Sequence, residues 1–209
     1  MDSVFPVIIH RFQSLRFESL KNELIKGAYT EKENDPKGTK KSNLGGWQSD
    51  DISKSNNIIV GEVFGSIINY FDSNNILVKD SSLKVTNIWV NINRKGNSNI
   101  KHNHPGADLS GVFWIKSPEN CGMLNFQSPY TYNGCKTLLT MNPEIKNKFA
   151  AWELIKYPPK EGDICIFPAF FEHWVEENQS DEDRISVSFN VELIVPYLFF
   201  APSIVSDSK

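Results

Sequence analysis

Arg184–Val191 alternates without a fault, with Arg184, Ser186, Ser188 and Asn190 on one side and Ile185, Val187, Phe189 and Val191 on the other. A period of two is the pattern of a β-strand with one face in a core. Upstream, Ile164-Cys165-Ile166-Phe167-Pro168 and Phe170-Phe171-Glu172-His173-Trp174-Val175 read as apolar strand sequence, followed by the acidic turn Glu176–Asp183. One histidine therefore sits on the incoming strand and one arginine opens the outgoing one. On a surface sheet the polar face would simply meet water, so the other histidines decide how to read it.

The rest of the chain fits a β-rich fold preceded by helices. Val4–Phe12 reads as a short strand. Phe17, Leu20 and Leu24 recur at helical spacing, which predicts a helix near 15–26 that stops at Gly27. Glu31–Asp51, with Pro36, Gly38, Gly45 and Gly46, reads as a long loop of the kind that lines or covers a site. Ile59, Val63, Ile67 and Phe71 form the stripe of a second helix near 56–71, with Asn56 as its cap. From Leu83 onward the pattern is of short strands, about eight in all, the count of a jelly roll. In the first, Lys84, Thr86, Ile88, Val90 and Ile92 oppose Val85, Asn87, Trp89, Asn91 and Asn93, and a turn follows at 94–99. Strands are expected at Asn99–His104, Leu109–Lys116, Gly122–Phe126, Trp152–Tyr157, Asp163–Phe167, Glu172–Glu176 and Arg184–Val195. The fold class is α+β, mainly β, with the helices outside one sheet. One domain is expected over 1–209, divided as 1–80 (N-terminal strand, helices and loop), 81–195 (jelly-roll core) and 196–209 (tail).

Charge and cysteine content narrow the function classes. With 22 basic against 25 acidic residues, the chain is not built to grip nucleic acid. Three cysteines without metal-site spacing (Cys121, Cys135 and Cys165) read as buried small apolar residues in a reducing compartment. There is no apolar run of about 18 residues and no secretory pattern at the start. A cytoplasmic location is expected, and the sequon at Asn178 then carries no meaning.

The chain has four histidines: His10, His102, His104 and His173. His102 and His104, two apart on an expected strand, project from one face. A pair at that spacing with a third histidine from a distant strand can assemble one face of a metal's coordination sphere. His10 reads as an ordinary strand residue.

His102-Asn103-His104, Leu109-Ser110-Gly111-Val112-Phe113-Trp114-Ile115, Gly162-Asp163-Ile164-Cys165-Ile166-Phe167-Pro168, His173 and Arg184-Ile185-Ser186-Val187-Ser188-Phe189-Asn190 together resemble the Fe(II)- and 2-oxoglutarate-dependent oxygenases. Within them the chain is similar to a small group found in bacteria and bacteriophages. Gly45-Gly46-Trp47-Gln48-Ser49 is similar to an upstream motif of that group, and the likeness spans roughly 43–192. The resemblance implies a double-stranded β-helix, cupin-like and open at one end, with Fe(II) and 2-oxoglutarate inside. It implies a dioxygenase, a hydroxylase coupling 2-oxoglutarate decarboxylation to substrate oxidation by O2. His102, His104 and His173 are then the metal ligands and catalytic centre. Arg184, with a hydroxyl from Ser186, is the anchor for the far carboxylate of 2-oxoglutarate. Eleven residues separate His173 from Arg184, enough for the strand to turn and return. The alternative for Arg184 is a salt bridge to Glu176, Glu177 or Asp183.

The sequence departs from its relatives at one place, because most of the superfamily has Asp or Glu where His104 stands. Either the site is all-histidine, or Asp108 swings in as a ligand and one histidine of the pair steps back. Trp89, Asn91 and Asn93 on one strand face, and Asn190, are candidates to line the pocket beside 2-oxoglutarate, Trp89 and Asn91 as cofactor-binding residues. Trp47, Tyr130 and Tyr132 are loop aromatics that could contact substrate. Two other readings stay open: a cupin-like metalloenzyme that does not use 2-oxoglutarate, and a non-enzymatic jelly-roll binding module. The expected partners are O2 and a small molecule or peptide side chain as substrate, with no nucleic acid and no membrane. A homodimer through the apolar stretch Val195–Ile204 is also open, as is a host-cell cytoplasm for a phage-borne copy.

Overall fold

The computed structural model describes residues 7–55, 57–130, 140–149 and 151–195. Two antiparallel sheets face each other. The larger has the order β1(His10–Gln13), β9(Asp163–Pro168), β6(Leu109–Lys116), β11(Arg184–Ile194), β4(Ser82–Asn93), β3(Trp47–Gln48). The smaller runs β2(Asn43–Leu44), β5(Ser98–His102), β10(His173–Val175), β7(Leu124–Gln127), β8(Leu154–Tyr157). Among the described residues, the eight strands from Ser82 onward are the number expected. Among the described residues no helix is long and apolar enough to cross a membrane.

Two hydrophobic layers explain the strand patterns. The outer layer lies between the larger sheet and helices α1(Phe17–Asn34) and α2(Ile58–Ser73), and holds Leu24, Ile59, Ile67, Ile88, Val90, Ile164, Ile166, Val187 and Phe189. The inner layer lies between the sheets and holds Trp114, Leu124, Phe126, Cys165, Phe167 and Phe171. β9 is buried on both sides and so reads as an unbroken apolar run. β11 is buried on one side by the helices and borders a cavity on the other, which is why its alternation is strict.

Several expectations need correction. α1 does not stop at Gly27 but continues to Asn34. A Cβ at Gly27 would stand 3.4 Å from Ile59 Cδ1, so the glycine serves the close approach of α1 to α2. The cap of α2 is Asn57, whose side chain accepts the Val60 N–H at 3.0 Å; Asn56 lies outside the described residues. The expected loop 31–51 holds the end of α1 and the short strands β2 and β3, the second pairing with β4 at Trp47↔Ile92. Trp47 is buried in the outer layer, donates its indole N–H to the Asp35 carbonyl at 2.9 Å, and is not an exposed loop aromatic.

Val85 also changes sides. The register of β4 against β11 passes from Asn190↔Asn87 to Val191↔Val85, skipping Thr86, and this bulge turns Val85 into the outer core with Ile88. The first strand is shorter than expected at His10–Gln13, its first residues lying outside those described. A six-residue helix, α3(Pro143–Lys148), was not expected. Cys121 and Cys165 are buried as expected, and burial pushes the Cys165 thiol up to about 12. Cys135 and Tyr132 lie outside the described residues.

Candidate active site

Between the sheets lies a cavity of about 410 Å³, bordered by the polar face of β11 and by Trp89 and Asn91 of β4. His102, His104 and His173 converge on it, each offering a ring nitrogen, and these atoms all lie within 4.8 Å of one another. His102 and His173 are directly opposed in the pairing of β5 with β10. His104 lies just past the end of β5, before the Pro105-Gly106 turn, and its backbone N–H is pinned to the Ala169 carbonyl at 2.9 Å. That pin, rather than strand periodicity alone, brings its Nε2 to 3.3 Å from His173 Nε2.

Hydrogen bonds prepare two of the rings as ligands. His102 Nδ1 stands 2.7 Å from the Ile100 carbonyl and His173 Nδ1 stands 2.9 Å from the Phe171 carbonyl. A carbonyl only accepts, so each Nδ1 carries the proton and each Nε2 keeps a lone pair for the cavity. Burial holds all three imidazoles below their ordinary range, His104 to about 4 and His173 to about 3, with the neighbouring rings adding to the effect at His104 and His173 and the Ile100 carbonyl opposing it at His102. They are neutral at physiological pH, the state that binds metal. Three convergent neutral nitrogens suit a divalent transition-metal ion that keeps open positions for other ligands.

Asp108 stands apart from this group. It is exposed, and its carboxylate accepts the Leu193 N–H at 2.7 Å. Its own backbone N–H and carbonyl bond Val191 and Ala169. It therefore ties strands together at the rim.

Arg184 is 1% exposed and borders the same cavity. Its Nη1 donates to the Cys121 carbonyl and, at 3.1 Å, to the Glu176 carbonyl, while its buried Nη2 has no partner among the described residues. Among those residues it also makes no salt bridge. Glu176 is paired instead with Lys156 at 2.7 Å, and Asp183 accepts from Tyr29 at 2.9 Å and faces Arg94 at 3.9 Å. Burial lowers the guanidinium to about 10, which leaves it charged at neutral pH. A buried cation with a spare donor, held only by carbonyl dipoles, is a ready anchor for a carboxylate.

Around that anchor, Ser186 is nearly buried and its hydroxyl has no partner among the described residues. Asn91 faces Ser186 across the strands, donates to Ser188 Oγ at 3.1 Å, and leaves its buried Oδ1 unpaired among the described residues. Asn93 does not border the cavity; it is buried and donates to Asn99 at 3.3 Å, tying β4 to β5. Trp89 lies further along, its ring centroid 5.7 Å from that of His104.

Three contributors escaped the sequence reading. Gln48 and Ser49, from the motif around Trp47, are nearly buried and border the cavity because β3 docks on β4. Gly122, at φ +85°, lets the 121–123 segment lie against 176–177, since a Cβ there would come within 2.8 Å of the Glu177 carbonyl oxygen. Those two segments supply the carbonyls that hold Arg184. A lone glycine gives no hint of this role.

The family model described as "Putative 2OG-Fe(II) oxygenase" matches residues 87–190. No curated protein matches the chain. Among solved structures, the viral collagen prolyl hydroxylase of Paramecium Bursaria Chlorella virus-1, in complex with 2OG, is similar at 13% identity and TM-score 0.56, covering 90% of this chain and 96% of its own. A prolyl-4-hydroxylase of Pseudomonas putida is similar at 10% identity and TM-score 0.59, covering 88% and 92%. A prolyl hydroxylase of Trichoplax adhaerens, bound to a hypoxia inducible factor fragment, is similar at 11% identity and TM-score 0.60, covering 88% and 83%. At these identities the likeness is one of fold.

Proposed function

We propose, from the premise that this chain belongs to the 2OG-Fe(II) oxygenase family, a hydroxylase whose iron is held by His102, His104 and His173 and whose 2-oxoglutarate is anchored by Arg184. The enzyme is a 2-oxoglutarate-dependent dioxygenase, an oxidoreductase with Fe(II) as its metal, 2-oxoglutarate as cosubstrate and O2 as the oxidant. The observation that carries the assignment of residues is the unpartnered Nη2 of Arg184 in a cavity that three neutral imidazoles also enter. Iron and 2-oxoglutarate held there would supply the activation of O2, one oxygen atom passing into succinate as CO2 is lost and the other to the substrate.

The chain's own residues do the positioning. The carbonyls of Phe171 and Ile100 orient the His173 and His102 rings toward the metal. Arg184 Nη2, with the Ser186 hydroxyl, donates to the distal carboxylate, replacing the water that burial has removed. The apolar wall of Phe167, Trp114 and Val112 keeps bulk water from the reacting centre. An all-imidazole triad adds no negative charge to the metal, unlike a carboxylate-bearing one, and so holds it less tightly. Hydroxylation as the reaction type, and a peptide side chain as one form of substrate, take support from the prolyl hydroxylases of similar fold.

Anaerobic addition of Fe(II) and 2-oxoglutarate to the apoprotein is expected to give the weak visible charge-transfer band of a chelated keto acid. A folded protein that gives no band refutes the proposal and leaves the jelly-roll binding module and the cupin-like metalloenzyme that does not use 2-oxoglutarate standing.

A further inference from the structure

Gly45-Gly46-Trp47-Gln48-Ser49 delivers one side chain into the cavity, and its neighbours hold the strand that carries it. Gly46 lies so close to β4 that a Cβ there would strike Asn93 Oδ1. Trp47 turns into the outer layer and is pinned to the Asp35 carbonyl. The Ser49 hydroxyl accepts the Val90 N–H at 2.9 Å and the Ser49 N–H goes to the Val90 carbonyl at 2.9 Å, which fixes the register of β3 on β4. Gln48 faces the opposite way from Trp47 and borders the cavity. It is 3% exposed, and its amide meets no described residue.

Gln48 opposes Asn91 and Asn91 opposes Ser186, so these residues form one row across β3, β4 and β11. The row lies roughly 7 Å of strand from the Arg184↔Asn93 pair and as far from Ser188↔Trp89, where the Trp89 ring stands beside His104. A five-carbon diacid that joins the Arg184 guanidinium to the imidazoles crosses it. Asn91 pairs with Ser188 Oγ at 3.1 Å, and a hydroxyl both gives and takes, so that contact allows the amide either way round. In both orientations its other end is buried without a partner among the described residues.

A buried carboxylate needs more donors than the anchor alone provides. It has about four acceptor positions, and Arg184 Nη2 with the Ser186 hydroxyl fills at most about three. The Gln48 amide supplies a further donor whichever way Asn91 lies. If Asn91 Oδ1 faces it, one N–H of Gln48 goes to that oxygen and the other to the carboxylate. If Asn91 Nδ2 faces it, Gln48 Oε1 accepts and the Gln48 N–H groups stay free for the carboxylate. Of the other charged groups on the cavity wall, Asp51 is held by Ile88 and Asn87, beyond the imidazoles, and Lys41 is exposed to water, which screens it.

We infer that Gln48 binds the cosubstrate, its amide donating to the far carboxylate of 2-oxoglutarate beside Arg184 and Ser186 while its other side is keyed to Asn91. The inference rests on the oxygenase reading of the same cavity. Gln48 then helps the site tell a keto acid with a second carboxylate from one without.

The full chain and its Gln48→Met, Gln48→Glu and Lys41→Met variants are loaded anaerobically with Fe(II). Each is titrated with 2-oxoglutarate and with 2-oxobutyrate, which lacks the far carboxylate, and the visible band and the melting temperature are both followed. Methionine keeps the length of the side chain and removes the amide. Gln48→Met should raise the Kd of 2-oxoglutarate about tenfold and leave that of 2-oxobutyrate within about twofold, a split that a merely disturbed wall would not produce. Gln48→Glu sets a carboxyl group against the far carboxylate and should raise the first Kd at least as much, which reads the same contact if the methionine variant does not fold. Lys41→Met should change neither Kd by more than about twofold.

Equal losses for the two keto acids, no loss for 2-oxoglutarate, or a loss at Lys41 in place of Gln48 overturns the inference, and a normal wild-type band then leaves the oxygenase standing. If the wild type gives no band, the oxygenase reading fails and melting decides the rest. A rise in melting temperature on adding 2-oxoglutarate that Gln48→Met diminishes keeps the carboxylate site. A rise equal in both proteins, or none, overturns that as well.

Discussion

Replacing Arg184 by alanine separates anchoring from folding. The side chain is 1% exposed, and its Nη1 serves two carbonyls, so truncation leaves the Cys121 and Glu176 oxygens without this donor. An unpaired buried acceptor costs about 1–3 kcal/mol, so the variant should melt earlier yet still fold. Losing the hydrogen bonds of Nη2 to a charged carboxylate costs about 1.5–3 kcal/mol of binding, one to two powers of ten in Kd. The assay is anaerobic titration of the visible band with 2-oxoglutarate and, in parallel, with 2-oxobutyrate, which chelates in the same way but lacks the far carboxylate. Arg184→Ala should lose affinity for the first and keep it for the second. Equal losses for both would mean a disturbed metal centre, and unchanged affinity for 2-oxoglutarate would remove Arg184 from its role.

Iron content of His104→Ala and Asp108→Ala distinguishes the two ligand sets: the Asp108 variant should retain metal, since its carboxylate is occupied by Leu193, and the reverse outcome refutes the triad. Gly122→Ala, at φ +85° and against the Glu177 carbonyl, should cost roughly 1–3 kcal/mol of stability and raise the Kd of 2-oxoglutarate but not of 2-oxobutyrate, read by melting and titration. Because burial holds the His104 and His173 pKa values below 6.5, the unfolded apoprotein takes up protons there that the folded one does not. Stability of the apoprotein should therefore be full above about pH 6.5 and fall as pH drops toward 4; a denaturation midpoint constant over that window contradicts this. Burial lowers the Arg184 pKa only to about 10, so its hold on 2-oxoglutarate should not weaken between about pH 7 and 9, as titration at both values would show.

Much of the fold was legible because burial leaves its period in the sequence. Leu109–Lys116 is a strand over the expected bounds, and Arg184–Ile194 nearly so. The unbroken apolar run of Asp163–Pro168 belongs to a strand covered on both faces. The helices were found from their stripes, but their ends were missed. Gly27 stops a helix in isolation, whereas here the nearness of Ile59 makes it a packing residue. The bulge at Thr86 left no trace, because skipping a residue exchanges faces without changing composition.

The sequence by itself determined the faces of single strands. Alternation put Arg184, Ser186, Ser188 and Asn190 on the cavity side of one strand, whereas His104 reaches the cavity only through the backbone bond to Ala169. Only the tertiary structure decided what each is free to do. Arg184 lacks an ionic partner among the described residues because its acidic neighbours are engaged elsewhere, and Asp108 is spent on a backbone N–H. Asn87 is held one way round because the Asp51 carboxylate can only accept from its Nδ2. Periodicity is local and is written in neighbouring residues. The saturation of a polar atom depends on partners tens of residues away, and that is settled only when the sheets close.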